Sequence, residues 1–306
     1  MITVGVDVGG TKALSVRMDG TDVVQESRVE IERSTDTLDA VFASIDTVFT
    51  PEVAAIGVGL AGLVNVGDGM LVWGPHLPGT NLRVGSEVVR RFDLPVHVDN
   101  DANTAAYAEL EIGAARGYSN VLFVSLGTGI GGAVVIDGDI YRGGSFAGEW
   151  GHVQVDTEGL LCDCGKRGCW ETLASGPALV RLATQVVTAN PDGALARNLP
   201  TGRITGESVV AAADGGDETA RALVTEVGKA FGQGLAGLVS IFDPELIVVG
   251  GGLGSVGESI IGPARRVLLD SLHGGKLRVP PPVQVATLGP AAGAVGAALQ
   301  AGRMGR

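Results

Sequence analysis

The sequence predicts an α/β protein built from two compact lobes. Its 306 residues are too many for one ordinary domain and suit two, since single domains usually run to about 100–150 residues. Apolar segments typical of strands alternate with segments of helical periodicity, which favours an α/β architecture. A supersecondary unit near the amino terminus also recurs 118 residues later, from position 7 to position 125. We therefore expect each lobe to open with the same unit.

The repeated unit consists of a strand, a glycine-rich turn, a second strand and an Asp-Gly hairpin turn. Its first copy covers residues 4–20 and its second covers residues 122–138. Asp7 in the first copy corresponds to Ser125 in the second. Because each copy contains a hairpin and helical segments follow, the predicted sheets mix antiparallel hairpins with parallel crossovers.

The other elements follow from hydrophobic periodicity and turn residues. Between the two copies we predict a helix near 35–48, a buried strand near 53–60, a loop over 74–82, a helix near 84–92, a strand at 95–99 and a helix near 102–115. After the second copy we predict a cysteine-rich loop at 160–170, helices through 171–190, 206–213 and 217–242, a strand at 246–249, a helix near 257–272 and a final alanine-rich helix. The smaller lobe is placed at 1–110 with the C-terminal helix 291–306, and the larger lobe at 111–290.

Composition limits the partners of the chain. Hydrophobic residues make up 45% and charged residues 18%, so burial of apolar surface can order the whole length. A net charge of -12 and a pI near 4.7 disfavour a nucleic-acid partner, which would be bound mainly through clustered Lys and Arg. The amino terminus lacks the pattern of a signal peptide, and no apolar run approaches the roughly 20 residues of a membrane helix. We expect a cytoplasmic protein that binds small molecules.

Two glycine-rich loops are candidate phosphate sites. Each follows a strand, and glycines allow backbone N–H groups to approach anionic oxygens. The residues are Gly9, Gly10 and Thr11 in the first loop, and Gly127, Thr128 and Gly129 in the second. Asp7 could hold Mg²⁺ through its water shell, and Lys12 could offset phosphate charge. A plain hairpin turn is the alternative for either loop alone, but the repeat favours a triphosphate site.

A third glycine cluster, residues 250–254, follows the strand predicted at 246–249. Gly251 and Gly252 could seat an adenosine, although a simple strand-to-helix turn explains the cluster equally well. The second loop also fits the dinucleotide pattern G-x-G-x-x-G, but a hairpin rather than a helix follows it, which disfavours an NAD site. A Walker-type phosphate loop is absent from the sequence.

Polar residues stand where a short strand meets a helix, at Asp99-Asn100-Asp101. An Asp at this position commonly caps the helix, and for Asp101 taken alone that explanation is the stronger one. Its position after a buried strand, beside the predicted phosphate loops, favours a different role. Asp101 could accept the proton of an attacking hydroxyl during phosphoryl transfer.

The three cysteines of the chain form a candidate zinc site with a histidine. Cys162, Cys164 and Cys169 have the spacing C-x-C-x4-C, and His152 lies ten residues before the first of them. Three thiolates and an imidazole match a closed tetrahedral Zn²⁺ site, which has no open position for an activated water and is therefore structural. Buried, unliganded cysteines with an unrelated histidine are the alternative.

Two glutamates flank this cluster. Glu149 precedes His152 by three residues, and Glu171 follows Cys169 by two. Each could be an ordinary solvated charge. Because a metal that fixes His152 would also fix its neighbours, recognition of substrate hydroxyls is the competing interpretation.

Over essentially its full length the chain resembles the ROK family of repressors, open reading frames and sugar kinases. The resemblance rests on five motifs in the family's order: residues 7–12, 99–103, 126–132, 148–152 and 162–171. It implies the actin-like, hexokinase-type fold, with two lobes and a central cleft. It also implies ATP-dependent phosphorylation of a hexose at its 6-hydroxyl, with ATP, Mg²⁺ and a structural Zn²⁺, in a homodimer or homotetramer.

The resemblance also implies roles for single residues. Asp101 would be the general base, and His152 would serve zinc and sugar through its two ring nitrogens. The residues that would bind the sugar are Gly62, Asn100, Asp101, Glu149, His152 and Glu171. This set is similar to that of the family's glucokinases, so glucose is the expected substrate. Mannose, fructose, allose or an N-acetylated amino sugar is the alternative, because the loop 74–81 lacks a Trp that is common there in the family.

Two further alternatives remain at this point. Some relatives accept polyphosphate as the phosphoryl donor. A sugar-sensing regulator would share the same body, but family repressors carry an amino-terminal helix-turn-helix domain, whereas here the first predicted strand begins at the amino terminus. The acidic pI also disfavours DNA binding.

Overall fold

The computed structural model describes residues 1–32, 35–199, 202–275 and 277–304, and it has the mixed α/β composition predicted. The strands are β1 (Ile2–Val8), β2 (Lys12–Asp19), β3 (Asp22–Glu30), β4 (Ala55–Leu60), β5 (Leu63–Asn65), β6 (Met70–Trp73), β7 (Val96–Asn100), β8 (Val121–Leu126), β9 (Ile130–Ile136), β10 (Asp139–Tyr141), β11 (Leu246–Gly250) and β12 (Val283–Val285). The helices are α1 (Thr37–Asp46), α2 (Val84–Phe92), α3 (Asp101–Ile112), α4 (Glu171–Ala174), α5 (Gly176–Ala189), α6 (Ala194–Asn198), α7 (Gly206–Asp214), α8 (Glu218–Phe242), α9 (Glu258–Ser271) and α10 (Ala292–Arg303). None of the helices described is long and apolar enough to span a bilayer.

The two predicted repeat units form corresponding parts of two sheets. The first sheet has the strand order β3-β2-β1-β4-β7, and the second has the order β10-β9-β8-β11-β12. In the first, β1 and β2 are antiparallel, whereas β1, β4 and β7 run parallel. In the second, β9 and β10 are antiparallel, and β11 and β12 are parallel. The predicted mixture of hairpins and parallel crossovers is therefore present in both sheets.

The C-terminal helix α10 packs directly on the first sheet. Gly5 on β1 and Gly57 on β4 face it, and a Cβ at either position would overlap the helix backbone. The valines of β1 point to the opposite face, where they join a core with α1. Small residues on one face and branched residues on the other therefore let helices cover both sides of this sheet.

The chain divides into two compact units. The first contains Met1–Phe123, Ala133–Gly148 and the C-terminal segment from Ala286 onward, and the second contains Val124–Gly132 and Glu149–Val285. The predicted helix near 102–115 is α3, and its first residue follows the last residue of β7 without a loop. That junction carries Asp99, Asn100 and Asp101, here called the acidic centre of the first unit.

Candidate functional site

In the first unit, predicted site residues meet at the carboxyl ends of three parallel strands. Asp7 on β1 pairs in register with Gly59 on β4, which pairs with Asp99 on β7. Gly62, which follows β4, and Asn100 and Asp101, which follow Asp99, therefore lie at the same edge of the sheet as Asp7. Ligands commonly bind at such an edge in open α/β sheets. The fold thus gathers Asp7, Gly62, Asn100 and Asp101 at one place.

Asn100 rather than Asp101 is the principal N-cap of α3. The Asn100 Oδ1 accepts hydrogen bonds from the backbone N–H groups of Ala102 and Asn103, at 2.8 and 3.2 Å. Its Nδ2 donates to the carbonyl of Gly62 at 3.0 Å, which ties two of the predicted sugar-binding residues together. Asp101 Oδ1 also accepts from Ala102 N–H at 3.0 Å, but Asn100 already caps both N–H groups, so the helix start does not depend on the Asp101 carboxylate alone.

Asp101 acts electrostatically on Asp7. Burial raises the pKa of Asp7, the charge of Asp101 raises it further, and Lys12 opposes the rise, so that the pKa of Asp7 reaches about 8. The Asp7 carboxylate also packs against Gly293 at the start of α10, where a Cβ would lie 2.5 Å from Asp7 Oδ2. A carboxyl group whose ionisation is disfavoured by burial and by a neighbouring carboxylate is suited to hold a proton or a cation.

The first glycine loop joins β1 to β2 as a tight turn, in which Gly9 N–H donates to the carbonyl of Lys12 at 3.0 Å. His76, from the loop after β6, lies over Gly10. A Cβ on Gly10 would overlap the His76 side chain and come within 3.0 Å of its carbonyl oxygen. The turn therefore requires glycine at position 10. Thr11 and Lys12 are exposed beside it.

In the second unit, the other two glycine clusters meet at Leu126. Its carbonyl accepts a hydrogen bond from Leu253 N–H at 2.9 Å, and a Cβ on Gly251 would lie 2.5 Å from the same oxygen. A Cβ on Gly127 would lie 3.8 Å from the backbone nitrogen of Gly252. The predicted phosphate loop 127–129 and the predicted adenosine seat 251–252 are therefore adjacent.

The four predicted zinc ligands also converge. One donor atom from each of His152, Cys162, Cys164 and Cys169 lies within 4.8 Å of the others. The Cys162 Sγ to His152 Nδ1 distance is 3.7 Å, and the Cys164 and Cys169 sulfurs are 3.5 Å apart. A tetrahedral Zn²⁺ with bonds of about 2.0–2.3 Å separates its ligand atoms by about 3.5–3.8 Å. The residues thus fit the ion, with Nδ1 as the histidine donor.

Glu171 links the zinc cluster to the second glycine loop. Its Oε1 lies 3.4 Å from His152 Nδ1 and 3.0 Å from Cys162 Sγ. Its Oε2 accepts a hydrogen bond from Ile130 N–H at 3.4 Å, and a Cβ on Gly129 would lie 2.7 Å from that oxygen. Glu149, in contrast, is exposed at the start of the short 3-10 helix Trp150–His152.

A buried carboxylate was not among the predicted site residues. Asp99 is fully buried and accepts hydrogen bonds from Arg142, at 2.6 and 3.0 Å, and from Gln300 at 3.1 Å. Burial alone would raise the pKa of Asp99, but the contacts with His97 and Arg142, together with a hydrogen bond from Asn103, lower it to about 2. The sequence motif contained Asp99, whereas no local pattern indicated Arg142 or Gln300.

The predicted site residues therefore fall into two groups, one in each unit. The first unit holds Asp7, Gly9, Gly10, Thr11, Lys12, Gly62, Asn100 and Asp101, and the second holds Gly127, Thr128, Gly129, Glu149, His152, Cys162, Cys164, Cys169, Glu171, Gly251 and Gly252.

The profile of the ROK family matches residues 3–303. A glucokinase of Streptomyces coelicolor is 38% identical over 97% of this chain and 96% of its own length. The crystal structure of a ROK family glucokinase from Streptomyces griseus, in complex with glucose and AMPPNP, is similar with a TM-score of 0.89 and 36% identity, covering 99% of this chain and 100% of that one. A xylose repressor of Caldicellulosiruptor bescii is 32% identical over 72% of this chain and 55% of its own length.

Proposed function

The chain belongs to the ROK family, and we propose that it is a glucokinase that transfers the γ-phosphoryl group of ATP to the 6-hydroxyl of glucose. The observation that carries the proposal is the strand edge at which Asp7, Asn100 and Asp101 meet, in a chain whose full-length relatives include glucokinases. The actin-like fold predicted for it is confirmed by its similarity to ROK glucokinase structures.

Asp101 is the proposed general base. It takes the proton of the sugar 6-hydroxyl as the oxygen attacks the γ-phosphorus, and the bond from that phosphorus to the bridging oxygen of ADP breaks. Asn100 holds a neighbouring sugar hydroxyl, and its hydrogen bond to Gly62 fixes the side chain for this task. The base and the sugar-binding amide thereby lie side by side at the end of β7.

The glycine loops are the proposed binding sites for the nucleotide. The N–H groups of Gly9 and Gly127 donate within their own turns, so the other backbone N–H groups of loops 9–11 and 127–129 hold phosphate oxygens. Lys12 supplies a positive charge. Gly252 leaves open backbone against which the adenosine can lie, since a Cβ there would meet nothing within 4 Å, and Gly251 is exposed beside it. A bound Mg²⁺ would neutralise the charge of the phosphates, and Asp7 is the residue proposed to hold it through water.

The zinc site is proposed to be structural. With His152 bound through Nδ1, the ring Nε2 is left for a sugar hydroxyl, and Glu171 beside it is proposed to bind another. Glu149 is proposed to complete the set. Removal of the metal would therefore disturb sugar binding through the orientation of His152.

Several finer statements stay predictions. They are the choice of glucose over mannose, fructose or an N-acetylated amino sugar, ATP rather than polyphosphate as donor, a cytoplasmic location, a homodimer or homotetramer, and lobes at 1–110 with 291–306 and at 111–290. A regulatory role is the alternative from another class, since a xylose repressor is among the relatives.

The proposal is tested by measuring ADP release from ATP and Mg²⁺ with a panel of sugars. The panel contains glucose, mannose, fructose, N-acetylglucosamine and N-acetylmannosamine, and polyphosphate replaces ATP in a parallel series. We expect turnover with glucose in the parent and a loss of kcat of about 10²–10⁴-fold in Asp101→Asn. Full activity of Asp101→Asn would refute the role of the base. No turnover with any sugar or donor, in folded protein that contains zinc, would refute the kinase.

A further inference from the structure

The carboxylate of Asp99 is a fixed point on which separate parts of the first unit converge. Its Oδ1 accepts hydrogen bonds from Asn100 N–H and Asn103 Nδ2, each at 2.8 Å. Its Oδ2 accepts from Nε and Nη2 of Arg142, which follows β10, and from Gln300 of α10. The side chain thus connects the end of β7, the first turn of α3, α10 and the segment after β10.

The position of Asp101 depends on the Asp99 carboxylate, because β7 runs into α3 without a loop that could absorb a shift of Asp99. Two anchors hold the junction on either side of it. Asn100 is the first, through its cap bonds and its bond to Gly62. Asp99 is the second, since its Oδ1 binds the backbone just before Asp101 and the Asn103 side chain two residues after it. A change in the orientation of Asp99 would tilt the segment that carries both Asn100 and Asp101.

Arg142 is the cation that keeps Asp99 in place. Asp99 has a fully buried side chain, and a buried carboxylate is stable only with a charge partner and saturated hydrogen bonds. His97 lies farther away, with its Nε2 3.7 Å from Asp99 Oδ2. Gln300 is 5% exposed and spends its Nε2 on the same oxygen. The other hydrogen bonds to the carboxylate come from Asn100 and Asn103, at the junction of β7 and α3. Arg142 and Gln300 are therefore the donors that reach it from other parts of the chain.

We propose that Arg142 and Gln300 are positioning residues for the phosphoryl-transfer reaction, which hold Asn100 and Asp101 in their working geometry through the buried carboxylate of Asp99. The inference rests on the proposed kinase function. Neither residue touches the reacting atoms in this role. Their loss should therefore affect the base and the sugar-binding amide together and leave nucleotide binding at the glycine loops unchanged.

The test compares Arg142→Gln with Arg303→Gln. Both arginines line a cavity of about 230 Å³ in the first unit, but only Arg142 contacts Asp99. Arg303 pairs with the exposed Asp139 instead. Circular dichroism and zinc content are recorded for each protein, and kcat and both KM values are measured with glucose and ATP.

For Arg142→Gln we expect kcat to fall about tenfold to a hundredfold and KM for glucose to rise, with KM for ATP within about twofold of the parent. Arg303→Gln should match the parent. The double variant Asp99→Asn with Arg142→Gln should be no worse than Arg142→Gln alone, because the two residues act through one contact. Gln300→Leu should show the same pattern with a smaller loss.

Parent values of kcat and glucose KM in folded Arg142→Gln would overturn the inference while leaving the kinase intact. Equal shifts in the KM values for glucose and ATP would also overturn it, since they would indicate a general structural role. If Arg142→Gln does not fold, Gln300→Leu is measured in its place, because it removes the other contact that holds Asp99. Parent values of kcat and glucose KM in that variant would likewise refute the inference. A parent without activity on any sugar would instead refute the proposed function, and this inference with it.

Discussion

Replacing Glu109 by a neutral residue of the same shape should be one of the more destabilising substitutions in the first unit. Glu109 is fully buried in α3 and accepts three hydrogen bonds. Ala114 N–H and the Thr287 hydroxyl donate to its Oε2, at 2.7 and 2.9 Å, and Leu288 N–H donates to its Oε1 at 2.8 Å. Two of these donors lie just after Ala286, where the chain returns from the second unit to the first.

The perturbation is Glu109→Gln, which keeps the shape and replaces one acceptor oxygen by an NH₂ group. In the better amide orientation, the carbonyl keeps Ala114 and Thr287, and the NH₂ faces Leu288 N–H. An unpaired buried donor costs about 1–3 kcal/mol, and the retained bonds lose their charge assistance. Relief of carboxylate desolvation offsets part of this loss. We expect a destabilisation of about 2–3 kcal/mol, or roughly 30- to 150-fold in the folding constant.

The assay is urea unfolding followed by circular dichroism, with hydrogen exchange of peptides that cover Leu288. Glu111→Gln is the control, because Glu111 lies on the same helix with a 40% exposed side chain, and its Oε1 is 4.0 Å from Arg303. That surface pair should be worth less than about 1 kcal/mol. If Glu109→Gln matches the control in both unfolding free energy and exchange of Leu288, the buried hydrogen-bond argument is wrong.

Three further predictions concern the zinc cluster, the first glycine loop and Asp7. Parent protein should contain one zinc per chain by elemental analysis, and Cys164→Ser should lose the zinc and become sensitive to proteases at 160–170. The control Asp163→Asn, a change at an exposed neighbour, should keep the zinc. Zinc retained by Cys164→Ser would contradict the site. Gly10→Ala should lower the free energy of unfolding by about 1–3 kcal/mol, because the added Cβ would overlap His76. Gly9→Ala should cause a smaller loss, since the nearest contact of its Cβ would be at 3.5 Å. Equal losses in the two variants would refute this difference. Burial and then Asp101 raise the pKa of Asp7 from 3.8 to about 8, so between these pH values the folded chain keeps a proton that the unfolded chain releases. The free energy of unfolding without nucleotide should therefore fall as pH rises across that range. If its slope against pH, measured by urea unfolding, is unchanged in Asp7→Asn, Asp7 is not the cause.

The sequence alone predicted the features that depend on local spacing. The two copies of the repeat predicted corresponding units in two sheets, because turn glycines and alternating apolar residues act over a few positions. The convergence of His152 with the cysteines was predicted for the same reason, since most of the ligand set lies in one short loop. The zinc identity and the roles of the individual site residues stay predictions.

Only the tertiary structure decided how the acidic centre is held. Asp99 takes its partners from Arg142, 43 residues away, and from Gln300, 201 residues away, and Glu109 binds a backbone group 179 residues away. A buried carboxylate needs donors from whichever elements pack around it, and their positions follow from the strand order and from the return of α10 to the first sheet. The cap is a smaller example, since the sequence made a helix cap the stronger explanation for Asp101 taken alone, whereas the hydrogen bonds give the N-cap to Asn100. Local pattern thus determined which residues form the turns and the histidine–cysteine cluster, while packing over long sequence separations determined which charges are buried together.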